Sequence, residues 1–116
     1  MPIITKDILD QLLAFRKDRD WEQFHTPKNL SMALSVEVAE LVECFQWTKD
    51  SELSELVIRE RMAIEEEVAD ITILLCYLCH DLNIELDEVV RSKIDKNRQK
   101  YPVSLARGNA KKYDRL

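Results

Sequence analysis

Glycine is nearly missing from this 116-residue chain: Gly108 is the only one, and the prolines are Pro2, Pro27 and Pro102. Hairpins rely on glycine for the positive φ of their turns. That scarcity argues against sandwiches, barrels and doubly wound sheets. It also excludes Walker A loops and dinucleotide fingerprints, each of which needs more than one glycine. Any phosphate must then be met by side chains and metal. Long apolar runs are lacking too. The longest, Ile71–Cys79, has nine residues, too few to cross a bilayer. The N-terminal segment carries Lys6 and Asp7 and has no apolar signal core. No membrane partner and a cytoplasmic location are expected.

Cysteine is scarce and odd in number, at three, which fits a chain without disulfides. Cys76, Cys79 and His80 spell a haem-attachment string on paper. They lie inside an apolar helical run, where cysteine behaves as a small buried hydrophobe, so all three are expected in the core. Charge is unevenly placed. The net value is −5, but residues 91–116 carry +7 and the first ninety carry −12. An acidic body with a basic end suits anion capture beside a cation site, or a tail that neutralises a neighbouring subunit. The negative balance disfavours nucleic acid as a partner.

What the chain does have is helical periodicity. Charged residues at 34% and hydrophobic ones at 46% fit a single all-α domain over 1–116, with residues 103–116 as a basic C-terminal tail. Thr5 caps a first helix to residue 18, carrying Ile8, Leu9, Leu12, Leu13 and Phe15. Thr26 followed by Pro27 starts a second helix that runs to residue 46. A short helix is expected at 51–57 and long ones at 59–82 and 86–100, the last ended by Pro102. Four main helices with short connections make a four-helix-bundle-like architecture.

At about 100° per residue, the stripe Leu30, Leu34, Val38, Leu41 and Phe45 of the second helix contains Glu37, with Glu40 at its border. The helix at 59–82 repeats this. Its stripe of Ile64, Val68, Ile71, Leu74, Leu75, Leu78 and Leu82 contains Glu67, with Asp70 at the border. Acids three apart share a face. Burying such carboxylates together is costly unless they are protonated or hold a cation. All-oxygen donors suit a hard ion, Mg²⁺ or Mn²⁺. An ordinary acidic pair at a core edge remains the alternative. In the helix at 86–100, Lys93 and Asn97 interrupt the stripe of Leu86, Val89, Val90, Ile94 and Tyr101. They call for an anionic or hydrogen-bonding partner, either those carboxylates or a phosphate.

Together these residues resemble the all-α nucleoside triphosphate pyrophosphohydrolases, the MazG-like superfamily, in which an E-x-x-E pair on one helix faces an E-x-x-D pair on the next. Here the pairs are Glu37-Val-Ala-Glu40 and Glu67-Val-Ala-Asp70. The segments Arg19–His25, Phe45–Trp47, Lys93–Arg98, Lys100–Pro102, Leu105–Arg107 and Lys112-Tyr113 bring the chain closest to the dCTP pyrophosphatase branch. The resemblance implies a MazG fold and Mg²⁺-dependent cleavage between the α- and β-phosphates, giving a monophosphate and pyrophosphate. It makes Glu37, Glu40, Glu67 and Asp70 the metal ligands, and Glu40 our choice of general base. Lys93, Asn97, Arg98 and Tyr101 would meet triphosphate or sugar, and Trp21 and Trp47 would hold the base. Animal members of that branch have histidine where Leu12 falls and tyrosine where Leu74 falls, so base preference is less constrained than reaction class. Family members form dimers or tetramers with shared sites, and long helices on a short chain also favour association.

Other readings make different demands. A di-iron bundle needs a Glu-x-x-His pair on each of two helices, and the chain does not have two such pairs. A non-catalytic interaction protein on the same bundle predicts no metal dependence and no loss when Glu37 becomes glutamine.

Overall fold

The computed structural model describes residues 2–116. Among them there is no strand, and the helices are α1 Lys6–Asp18, α2 Pro27–Glu43, α3 Leu53–Arg59, α4 Arg61–Asp81, α5 Leu86–Lys100 and α6 Val103–Ala106. The expected all-α class is what is found. Both expected caps form. The Thr5 hydroxyl accepts from the Ile8 N–H at 3.3 Å and the Thr26 hydroxyl from the Asn29 N–H at 3.1 Å. Three boundaries differ from expectation. α2 stops at Glu43, because the Cys44 and Phe45 amides bond to Leu41 and Val42 and tighten the end into turns. The short helix shifts to Leu53–Arg59, led by a 3₁₀ turn at Asp50–Glu52. A kink at Glu60 (φ −101°, ψ 20°) then delays α4 to Arg61.

The shortage of glycine shows at the helix ends. α1 and α4 both turn off through a left-handed residue, a position glycine usually takes. Here the φ values are 53° at Asp20 and 54° at Asn83; Asp and Asn tolerate this region better than other side chains. At the end of α1 the Asp20 N–H bonds to the Lys17 carbonyl and the Trp21 N–H to that of Arg16, both at 3.0 Å. This paired closure fixes where Trp21 leaves the helix.

The chain divides into two compact units, Ile4–Asn83 and a second made of Ile84–Leu116 with the segment through Ile3. In the first, α2 lies along α4, and α1 and α3 also pack on α4. Its sealed core is small: Leu30, Leu56, Cys76, Tyr77 and Cys79. All three cysteines are free, and burial raises the thiol pKa of Cys76 and Cys79, so both are inert core residues as expected. His80 is not; it is exposed, because it falls on the solvent side of the last turn of α4.

In the second unit the Ile3 N–H donates to Asp87 at 2.9 Å. The basic segment after Pro102 is structured, with α6, a 3₁₀ turn at Tyr113–Arg115, and Tyr113 edge-on to Tyr101 with ring centroids 6.2 Å apart. The stripe expected on α5 is not covered. Leu86 is half-buried, while Val89, Val90 and Ile94 are exposed. No described helix is long and apolar enough to cross a membrane.

Candidate active site

The acids that interrupt the stripes of α2 and α4 meet where those helices pack. Glu37 and Glu67 are half-buried and Asp70 and Glu40 exposed, the in-stripe and border placements that the periodicity predicts. Ligand oxygens of Glu37, Glu67 and Asp70 all lie within 4.8 Å of one another. One oxygen each of Glu37 and Glu67 is sealed from solvent and has no hydrogen-bond partner. Two such orphaned oxygens in one carboxylate set fit a bound cation, and three carboxylates suit a hard divalent ion.

The electrostatics agree. A carboxyl–carboxyl hydrogen bond to Glu67 raises the Glu37 pKa, with burial and the charges of Asp70 and Glu67 adding to it. Glu40 is raised chiefly by a like bond to Glu37. Glu67 is pulled down by its bond to Glu37, but burial and the Glu40 charge outweigh that, and its pKa too is raised. Two ionised carboxylates offer each other no donor, so such pairing is favourable only when a proton is shared. A cation there would take that proton's place.

Beside the carboxylates opens a cavity of about 450 Å³, lined by Gln11, Leu12, Phe15, Trp21, His25, Glu37, Asp70, Ile73, Leu74 and Tyr77. Its aromatic wall is ordered: Phe15 meets Trp21 edge-on at 5.7 Å, Arg19 caps the Phe15 ring at 3.6 Å, and Trp21 leads to His25 at 6.5 Å. The lining is largely apolar and aromatic and includes Glu37 and Asp70, so it can hold a planar ring while a cation faces the charged group attached to it.

The candidate residues therefore divide. Trp21, Glu37, Glu67 and Asp70 come together, and Glu40 is electrostatically coupled to that set. Trp47 does not join them; it is 88% exposed in the turn after α2. Lys93, Asn97, Arg98 and Tyr101 belong to the second unit, where all four are exposed. The expectation that Lys93 and Asn97 sit on a buried stripe is thus corrected. The positive charge of Lys100, with some burial and Lys96, lowers the Lys93 pKa, so like charges crowd it, and Arg98 pairs with Asp95 at 3.0 Å. Leu12 and Leu74 both line the cavity.

Sequence reasoning missed Arg16, His25, Tyr77 and Asp81. Arg16 is buried and held by Asp81, and Tyr77 is buried against both His25 and Arg16. The signal was present: Arg16 continues the Leu9, Leu12, Leu13 face of α1, a charge on an apolar stripe like Glu37.

Residues 32–116 match the MazG-like family. The chain is 48% identical over 113 residues to dCTP pyrophosphatase 1 of Mus musculus and 46% identical to that of Homo sapiens, in each case over 96% of this chain. It spans 66% of the length of those relatives. The crystal structure of a pyrophosphatase from Archaeoglobus fulgidus superposes with a TM-score of 0.81 at 46% identity, covering 84% of this chain and 91% of the other.

Proposed function

The chain belongs to the MazG-like family, and on that premise we propose that it is a Mg²⁺-dependent nucleoside triphosphate pyrophosphohydrolase acting on a deoxycytidine substrate. The observation that carries this reading is the set of three carboxylates within 4.8 Å beside an aromatic cavity. Similarity to dCTP pyrophosphatases supports the choice of base.

Glu37, Glu67 and Asp70, with Glu40, would hold the cation, whose chemistry is to neutralise phosphate oxygens and ease deprotonation of water. Trp21 and Phe15 supply flat faces for the base. Glu40, exposed and with its pKa raised chiefly by Glu37, can reach a water and take its proton as the oxygen adds to phosphorus across the α–β anhydride. Pyrophosphate leaves and the monophosphate remains. Lys93, Asn97, Arg98 and Tyr101 are the proposed contacts to triphosphate and sugar.

The active form we propose is a dimer or tetramer. The sealed core is small, while Ile58 and Met62 are 79% and 74% exposed and Trp47 stands free. Those side chains are available to a second copy, and Trp47 to that copy's base site. Free cysteines and a nucleotide substrate support a cytoplasmic setting.

The test is a panel of dNTPs and NTPs with Mg²⁺, resolving pyrophosphate from orthophosphate. Pyrophosphate with dCMP from dCTP is expected. Orthophosphate as first product overturns the bond assignment, and no turnover by folded protein favours a binding role. Light scattering during chromatography reads the oligomer; a monomer at working concentration overturns the assembly.

A further inference from the structure

A second polar cluster stands behind the cavity wall and has its own logic. Arg16 of α1 is 5% exposed. It grips Asp81 at the end of α4 with both ends of its guanidinium, Nη1 to Oδ2 at 2.9 Å and Nη2 to Oδ1 at 2.5 Å. The same Nη1 lies 3.4 Å from Nδ1 of His25. A guanidinium can only donate. Facing it, Nδ1 must be the acceptor, and the imidazole proton is therefore on Nε2, the far side of the ring. Tyr77 completes the frame. Its ring packs on the imidazole at 5.1 Å and under the Arg16 guanidinium at 4.8 Å, and its hydroxyl donates to the Leu12 carbonyl at 2.7 Å. The ring is held on one nitrogen and one face.

His25 lines the cavity while Arg16 and Asp81 do not. The cavity has few other donors to offer. They are the Trp21 indole N–H and the Gln11 amide, one of whose N–H groups goes to Asp7 at 3.0 Å; the Tyr77 hydroxyl is engaged, and Glu37 and Asp70 are acids. Leu12, Phe15, Ile73 and Leu74 have no polar atoms in their side chains. A planar ligand pressed against such a wall loses its water, and an edge acceptor left without a donor then costs discrimination. Burial, followed by the charge of Arg16, lowers the His25 pKa against the opposing pull of Asp81. Burial and the Arg16 charge thus favour the neutral ring.

We infer that His25, fixed by Arg16 as its Nε2–H tautomer, is a specificity-determining donor that reads a carbonyl or ring-nitrogen acceptor on the edge of the nucleobase, with Arg16 and Asp81 as positioning residues. This rests on the nucleotide reading of the cavity proposed above.

The experiment separates the two claims. Wild type and His25→Phe, which keeps the aromatic packing and removes the N–H, are assayed with Mg²⁺ on dCTP and on 2-deoxyribose 5-triphosphate, which has no base. The substitution is expected to raise KM for dCTP about tenfold, leave kcat within about twofold, and leave the baseless substrate unchanged. An equal effect on both substrates, or none on either, overturns the inference. Failure of the wild type to hydrolyse either overturns the proposed function instead. The inference is then decided by ¹H–¹⁵N imidazole spectra of the full chain. These are expected to show the Nε2–H tautomer, with its resonance moving on addition of dCMP and not of 2-deoxyribose 5-phosphate. The other tautomer, or equal responses, overturns it. Replacing the pair together, Arg16→Met with Asp81→Leu, is expected to mix the tautomers and to raise KM for dCTP alone. If both are unchanged in that folded variant, the positioning role falls while the reading by His25 still stands on its own substitution.

Discussion

Two polar clusters enter the apolar interior of α1–α4, and they solve the problem of buried charge in opposite ways. Around Arg16 the charges are opposite, the bonds are bidentate, and Asp81 is held below its ordinary pKa chiefly by its hydrogen bond to the guanidinium. Around Glu37 the charges are alike, two oxygens are orphaned, and the glutamate pKa values are raised. One cluster holds its counter-charge within the chain, although the Arg16 Nε–H is itself buried without a partner; the other is balanced only with protons or a cation. A charge that carries its own counter-ion serves to position, whereas one that lacks it is held ready for a ligand.

The largest contrast comes from neutralising a member of the open cluster. Glu37→Gln is expected to lower kcat/KM roughly a thousandfold, the several kcal/mol of transition-state stabilisation that a catalytic metal supplies, without lowering thermal stability. A loss of folding, with activity per folded molecule retained, would make that cluster structural. In the closed cluster the effect reverses. Asp81→Leu alone strands Arg16 and is expected to cost about 3 kcal/mol in denaturant unfolding. The Arg16→Met, Asp81→Leu pair should recover most of it, and equal costs for single and double variants would show that the ion pair is not what holds this corner. Next in size is Trp21→Ala, which should raise KM about tenfold through lost stacking; an effect on kcat alone would take Trp21 out of the base site.

pH sharpens the comparison further. Glu37, Glu40 and Glu67 titrate in the folded protein above their ordinary 4.5. Their contribution to stability is therefore complete below pH 4.5 and is lost as pH rises through the raised values. Asp81 works in the other direction, stabilising above its ordinary 3.8 and failing as pH falls through its depressed pKa. In chelator, the melting temperature should fall by a few degrees as pH rises from 4.5 to 8, and Mg²⁺ should restore it most at the upper end. A metal-free melt that climbs throughout would contradict the shared-proton account. The smallest effect is expected from Leu74→Tyr, which adds a hydroxyl to the cavity and should change the dCTP to dUTP ratio of kcat/KM only a few-fold. No change would place residue 74 away from the base.

Much of this was legible in the sequence, for identifiable reasons. The Thr5 and Thr26-Pro27 caps are local chemistry and form as written. Glu37 and Glu67 show themselves because a carboxylate in an apolar stripe is a local contradiction. Arg16 offered the same contradiction on α1, but its meaning depends on Asp81, sixty-five residues away, and no spacing rule connects them. The early end of α2 and the covered-stripe expectation for α5 failed for a related reason. Periodicity shows which face is apolar, and not whether anything in the same chain lies against it.

The single glycine and the split between an acidic body and a basic end determined the class: helices without a phosphate loop, with carboxylates on their apolar stripes in place of a glycine cradle. They also left Asp20 and Asn83 to make the left-handed turns that glycine would otherwise make. Only the tertiary structure decided which polar groups would be paired. Helix packing brings α1, α2 and α4 together and sets Arg16 against Asp81 and Glu37 against Glu67. The cost of a buried charge depends on the neighbour it meets there, and that neighbour is not encoded locally.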